Sequence, residues 1–434
     1  MSSEWCDIAF GDFIALQRGH DLPDQERRPG TVPILGSFGV TGYHDTVKAK
    51  APGVTIGRSG ASFGVAAYTE KDYWPLNTAL YVTDFKDNDP KFVFYFLKLF
   101  NFSGYNSGSA QPSLNRNNLY GIPIRVPSKA IQKCIANFVS ALDDRIALLR
   151  ASNATLEAIA QAMFKSWFVD FDPVHANASL PSPRGRGVGG EGEIGKAKSF
   201  PHPSPLPAGE GVQSMSEATA ALFPDSFEES ELGLVPRGWR VGTLGDIAKT
   251  VKKQLQPSAL HSELHYVGLE HIPRKSLSLS DWGDAEGLGS AKAAFAKDDI
   301  LFGKLRPYFH KVVIAPFDGV CSTDILVCQS TKPAYYGLAA MHLFSKTLID
   351  YAERLSNGAK MPRVNWKDLA AYPICVPPEA LAANYSEIIK PIISRMMANV
   401  HQAQTLATLR DTLLPRLISG QLRLPQACAE LEEA

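Results

Sequence analysis

Two short polar loops carry the side chains with most to offer a ligand. TIGRSGASFG (55–64) places Arg58 and Ser59 on a glycine-rich turn, and FGKLRPYFHK (302–311) offers Lys304, Arg306, Tyr308, His310 and Lys311. QPSLNRNNLYGIPIRVP (111–127) adds Gln111, Arg116 and Asn117, while MPRVNWKDLAAYPICVP (361–377), with Lys360 just before it, adds Arg363 and Lys367. Guanidinium and ammonium groups bond guanine edges or phosphate oxygens, and side-chain amides bond adenine edges. The chemistry suits nucleic acid. The candidate contacts are Arg58, Ser59, Gln111, Arg116, Asn117, Lys304, Arg306, Tyr308, Lys311, Lys360 and Arg363. Asn115 and Asn365 have a simpler reading, as caps of the turn before the next strand.

Signatures of catalysis are missing. The chain has no GxxxxGK[ST] phosphate loop, no HExxH zinc motif and no GxSxG elbow. HSELH (261–265) would place His261 and His265 on one face of a helix, but no third ligand accompanies them, so no metal site is expected. VPPE (376–379) has the prolines of an adenine methyltransferase tetrapeptide without its Asn/Asp or its aromatic residue. PDQER (23–27) lacks the upstream acidic partner of a nuclease metal site. No catalytic residue is assigned, and the chain reads as a binding protein.

The elements that position these loops are written twice. Pro112 and Pro362, Asn115 and Asn365, Leu119 and Leu369, Pro123 and Pro373, and Val126 and Val376 all fall 250 positions apart. WCDIAFGDFIA (5–15) aligns with WRVGTLGDIAK (239–249), TIGRSG (55–60) with LFGKLR (301–306), and NTALYV (77–82) with STDILV (322–327). Offsets grow from 234 to 250 and then hold constant, so length varies inside the globular part and is fixed beyond it. The fixed part is helical. Ile135, Val139, Leu142, Ile146, Leu149, Leu156 and Met163 lie on one seam with alternating steps of four and three, as do Ile389, Ile392, Met396, Leu406, Leu413 and Leu417. The equal seams predict that the two helices pair with each other. Pro391 and Pro415 predict a kink or an end within the second helix.

Five segments follow: a globular domain at 1–127, a long helix at 128–172, a linker at 173–231, a second domain at 232–377, and a second helix with its tail at 378–434. Short β-rich runs among glycine and proline turns, followed by helical runs at 91–100 and 336–355, make each globular domain mixed α/β (α+β). Within the linker, 178–214 is crowded with proline and glycine and nearly free of large apolar side chains, so disorder is expected there. GRGVGGEG (185–192) has no strand before it and no helix after it, and does not read as a dinucleotide loop. Paired antiparallel, the helices would relate the two domains by a pseudo-two-fold axis. A helix of about 41 residues, near 60 Å long at about 1.5 Å per residue, would then act as a ruler between separate DNA patches.

Composition limits the partners. The 434 residues carry no formal net charge, with a pI near 7.1, so any contact with nucleic acid rests on local patches. Six scattered cysteines without a CxxC, and no basic-then-apolar leader, point to reduced thiols in a cytoplasmic protein. No apolar run is long enough to span a membrane.

The chain resembles the specificity subunits of type I DNA restriction–modification systems. The resemblance rests on ALFPDSFEESELGLVPRGW (221–239), WRVGTLGDIA (239–248), ILFGKLRPYF (300–309), the 111–127 segment, LEAIAQAMFKSWFVDFDPV (156–174) and LRDTLLPRLISGQL (409–422). It covers nearly the whole chain apart from 178–214, an insertion that departs from the family's pattern. It implies two target-recognition domains separated by two long antiparallel coiled-coil helices that dock two methylation subunits, with double-stranded DNA as ligand. It also implies a non-catalytic polypeptide. S-adenosylmethionine, ATP and Mg belong on the partner subunits, and a restriction/translocase subunit joins for cleavage.

Overall fold

Each half of the chain opens and closes on the same kind of strand pair. In the computed structural model, Trp5–Ala9 runs antiparallel to Pro123–Pro127, and Arg240–Thr243 runs antiparallel to Pro373–Val376. The second strand of each pair is the repeated PI-x-V sequence. Its period of two sends Ile124 and Val126, and likewise Ile374 and Val376, into the core, while Pro123 and Pro373 stay exposed. A two-stranded ladder tolerates these prolines because neither strand is central in a sheet. The structure describes residues 5–106, 113–179, 215–356 and 361–424. Gln111, Lys360 and nearly all of the 178–214 stretch lie outside them; residues 178 and 179 close the helix Asp172–Ser179.

Contacts divide the chain into two units, residues 1–148 with 402–434, and residues 149–401. Both are mixtures of helix and sheet. The first contains a four-stranded antiparallel sheet in the order Ala15–Arg18, Ala79–Asp84, Gly53–Gly57, Ala66–Thr69. The second repeats that order with Ala248–Thr250, Ile325–Ser330, Ile300–Gly303 and Val312–Ile314. The copies differ in their other sheet, three-stranded in the first and five-stranded in the second, where the sequence gains its extra length. The run at 336–355 is two helices, Tyr336–Phe344 and Lys346–Leu355. Ser345 breaks it with an extended backbone and caps the second helix through its hydroxyl, which accepts the Leu348 N–H at 3.2 Å.

Two helices of 40 residues each, Lys129–Phe168 and Glu379–Ile418, contribute to both units. In the first unit Ile135 and Val139 share a core with Leu413 and Leu417, and Arg410 bonds Asp143 at 2.5 Å. In the second, Asn153 accepts from the Asn399 amide at 2.8 Å, and the Tyr385 hydroxyl donates to the Ala160 carbonyl at 3.2 Å. Within each unit the partners therefore run in opposite directions. Leu142, Ile146, Leu149, Ile389 and Met396 are buried, whereas Leu156, Met163 and Leu406 are half-buried. Ile392 is half-buried too; Ile393, at 3% exposure, holds the seam position expected of its neighbour. The prolines do not break the second helix. Pro391 and Pro415 face solvent, as do Glu387 and Asp411 one turn back, so the carbonyls they leave unbonded lie on the wet face.

Asn153 and Asn399 are 7% and 2% exposed, and the Asn153 amide also donates to the Met396 carbonyl at 3.0 Å. Asn399→Leu leaves Asn153 buried with an unmet group and is expected to lower stability by about 1–3 kcal/mol. The pair Asn153→Leu/Asn399→Leu should lose less than that in thermal unfolding. A second expectation concerns acid. His342 is buried edge-on against Phe164 at 4.8 Å, and burial pushes its pKa from 6.5 down to about 3. A depressed folded-state pKa contributes stability above pH 6.5 that is lost as pH falls toward about 3. His342→Leu is expected to flatten the acid side of the stability–pH curve.

Candidate nucleic-acid interface

The two polar loops are held by backbone. In the first unit the strand Gly53–Gly57 ends in Arg58 and Ser59, and Ser59 forms a lone antiparallel bridge with Ser113. The Leu114 N–H donates to the Arg58 carbonyl at 2.8 Å, and the Arg58 N–H donates to Thr78 at 2.9 Å. In the second unit Leu305 bridges Arg363, and the Val364 N–H donates to the Lys304 carbonyl at 3.1 Å. Arg58 and Lys304 are therefore equivalent, and so are Leu114 and Val364, whose side chains are fully buried plugs at 1% and 0% exposure.

Around the first bridge lies an open groove of about 620 Å³ lined by Gln17, Arg18, His20, Arg58, Asn115 and Arg116. Arg18 and Arg58 have no ion-pair partner among the described residues, and the groove's one carboxylate among the lining residues is Asp21. Arg116 lines it too, but its Nη1 donates to the Leu16 carbonyl at 2.9 Å. Asn115 accepts the Asn117 N–H at 3.0 Å, as a cap does, and Asn117 is exposed beside it. Asp21 is held by Asn77. Burial first, then the positive Lys48, holds His20 below its ordinary pKa, so it is neutral at pH 7. Arg18 ends the strand Ala15–Arg18 and His20 lies two residues beyond it; neither was among the candidates read from the sequence.

The second bridge presents a different set. Lys304 and Arg306 have no ion-pair partner among the described residues, whereas Arg363 pairs with Asp324 at 3.2 Å. Lys311 is turned inward, its ammonium donating to the Leu269 carbonyl, and burial and Arg274 lower its pKa. Arg306 and His310 adopt left-handed φ values of 52° and 51° on either side of Pro307–Phe309. Such strain in non-glycine residues persists only where the surroundings enforce it. Here the buried His310 ring bonds the Phe344 carbonyl at 2.8 Å, and the Arg274 guanidinium lies 4.0 Å over the Phe309 ring. Tyr308, between them, is 42% exposed. Asn365 makes no side-chain cap bond.

Among the described residues no three His, Cys, Asp or Glu side chains are placed to hold a metal. HSELH is a turn running into a strand, with the His265 ring tilted against Phe317 at 4.2 Å. Nor is any described helix long and apolar enough to cross a membrane. None of the described cysteines forms a disulfide, and burial pushes the Cys321 and Cys375 thiols up to about 12.

Residues 2–158 match the family described as type I restriction modification DNA specificity domain. The type I restriction enzyme EcoDI specificity subunit of Escherichia coli is 23% identical over 448 residues, covering 96% of this chain and 89% of that protein. The MjaIX specificity subunit of Methanocaldococcus jannaschii is 23% identical over 350 residues, 77% of this chain and 70% of that one. The chain is thus similar to type I restriction enzyme specificity subunits over most of its length. The crystal structure of an S subunit of this kind from M. genitalium has the same fold, with a TM-score of 0.58, 16% identity and coverage of 95% and 96%. The first bridged loop, with Arg58 and Ser113, lies inside the matched residues.

The bridge needs close backbone approach. A Cβ on Gly57 would lie 1.9 Å from the Ser62 carbonyl oxygen, whereas one on Gly303 meets the flexible Leu269 side chain at 3.0 Å. Gly57→Ala is expected to cost about 1–3 kcal/mol in thermal unfolding, and Gly303→Ala less.

Proposed function

We propose that this chain is the target-reading subunit of a type I restriction–modification complex and reads a bipartite duplex, one half-site per globular domain. The observation that supports the reading is the recurrence of one backbone bridge in two places, each presenting cations with no ion-pair partner among the described residues: Arg58 with Arg18, and Lys304 with Arg306. Equal frames with unequal side chains suit two different half-sites. On this reading the domains are 1–127 and 232–377, and the helices form an antiparallel coiled coil with pseudo-two-fold character. Two methylation subunits dock on the helices, and restriction/translocase subunits join them. The chain itself is non-catalytic and cytoplasmic; S-adenosylmethionine, ATP and Mg act on the partners.

Arg58→Ala and Lys304→Ala separate the half-sites. In the full chain assembled with its methylation subunits, each is expected to weaken specific duplex binding by about 1–3 kcal/mol and to relax base preference in one half-site only. Binding measured against duplexes randomised in each half checks this. Unchanged preference in both variants would remove the assignment of these loops. Because the net charge is zero, the isolated chain is expected to bind DNA weakly, which a salt titration would show.

A further inference from the structure

Among the exposed apolar residues, one group lies beside a cationic loop. Val32–Gly36 and Gly39–His44 form a hairpin whose two-residue turn is Ser37-Phe38. Glycine, asparagine and aspartate ordinarily fill such turns, because the backbone there favours positive φ. Here Gly39, at φ 100°, supplies that freedom, and Phe38 stands at the tip 68% exposed. Val40 follows at 56%. Turn geometry has no need of a phenyl ring in water.

The tip adjoins the first cationic loop. A Cβ on Gly57, the residue before Arg58, would lie 3.0 Å from the Ser37 carbonyl oxygen as well as against Ser62. Thr78, whose carbonyl accepts the Arg58 N–H, lies 3.5 Å through its hydroxyl from a Cβ built on Gly36. The turn thus packs beside the strand end that carries Arg58, and Arg58 and Arg18, which line the groove, have no ion-pair partner among the described residues. The charge selects a polyanion as occupant, and a two-stranded ribbon fits the DNA major groove. The apolar group that base edges show there is the thymine C5-methyl.

We infer that Phe38 is a specificity-determining residue that packs its ring on the methyl group of a thymine in the half-site read by the first globular domain. This rests on the DNA-reading assignment of that domain. In the second unit a Cβ on Gly303 meets the Leu269 side chain rather than a hairpin tip, and the Lys311 carbonyl accepts its N–H as Val65 accepts that of Gly57. The thymine contact therefore belongs to one half-site and not to the other.

The test replaces each thymine of the target in turn by deoxyuridine, which deletes the methyl and keeps the hydrogen-bonding edges. Binding is measured for the full chain assembled with its methylation subunits. One replacement, in the half-site that Arg58→Ala relaxes, is expected to weaken binding about fourfold, the scale of taking one methyl out of an apolar contact. Phe38→Ala is expected to bind the thymine and uracil duplexes equally, both about as weakly as the unaltered chain binds the uracil duplex. Since the uracil series on the unaltered chain needs no variant, a folding defect cannot mimic the result. No uracil-sensitive position, or equal sensitivity with and without Phe38, would overturn the inference. So would loss of assembly in Phe38→Ala with the uracil response intact, since the tip would then be a protein contact. If Arg58→Ala changes nothing either, it is the underlying reading that has failed.

Discussion

One backbone hydrogen bond, made twice, holds the cationic loop of each half in place. Leu114 donates to Arg58 and Val364 donates to Lys304, so the loop after the central strand is tied to the loop before the closing strand. A main-chain bond is indifferent to the side chains beside it. The frame can stay constant while its cargo changes from Arg58, Ser59 and Gly60 to Lys304, Leu305 and Arg306. What varies is displayed; what repeats is buried. Leu114 and Val364, both fully buried, anchor each frame to its own core.

The same closing strand leads into a long helix, and polar anchors fix that junction. Gln132, 2% exposed, donates to Asn88 at 2.8 Å and to the Pro127 carbonyl at 3.0 Å, and accepts the Asp89 N–H at 3.0 Å. In the second unit Ser386, also 2% exposed, donates to the Ala334 carbonyl at 2.7 Å and accepts the Gly337 N–H at 2.9 Å. These residues are not equivalent in sequence, yet each removes freedom at the same join. Along the helices, Asn153 with Asn399 adds a polar pair that tolerates one register, since sliding either partner would strand an amide in an apolar seam.

Much of the repetition was legible because identical backbone tasks demand similar residues. The shift of 246 between Gly57 and Gly303, and of 250 between Leu114 and Val364, already marks the positions that the bridges join. Which loop touches which was not legible, because a bridge between residues 59 and 113 leaves no local trace. Helical prolines misled for a related reason. Local propensity marks Pro391 and Pro415 as breakers, but burial of Ile389, Ile393 and Leu413 holds the helix while the missing bonds face water. Ile392 and Ile393 differ by one step on the seam, and composition alone cannot choose between two adjacent isoleucines. Arg18 and His20 were hidden because strand ends become groove walls only through tertiary packing.

The central claim is that a constant helical length sets the separation between two independently read half-sites. Inserting the same whole number of helical turns into both long helices, at matched positions on the seam, and then mapping methylated sites across a genome tests it most directly. The account requires each half-site to keep its sequence while the unread stretch between them lengthens. Half-sites that change with the spacing left as it was would contradict it.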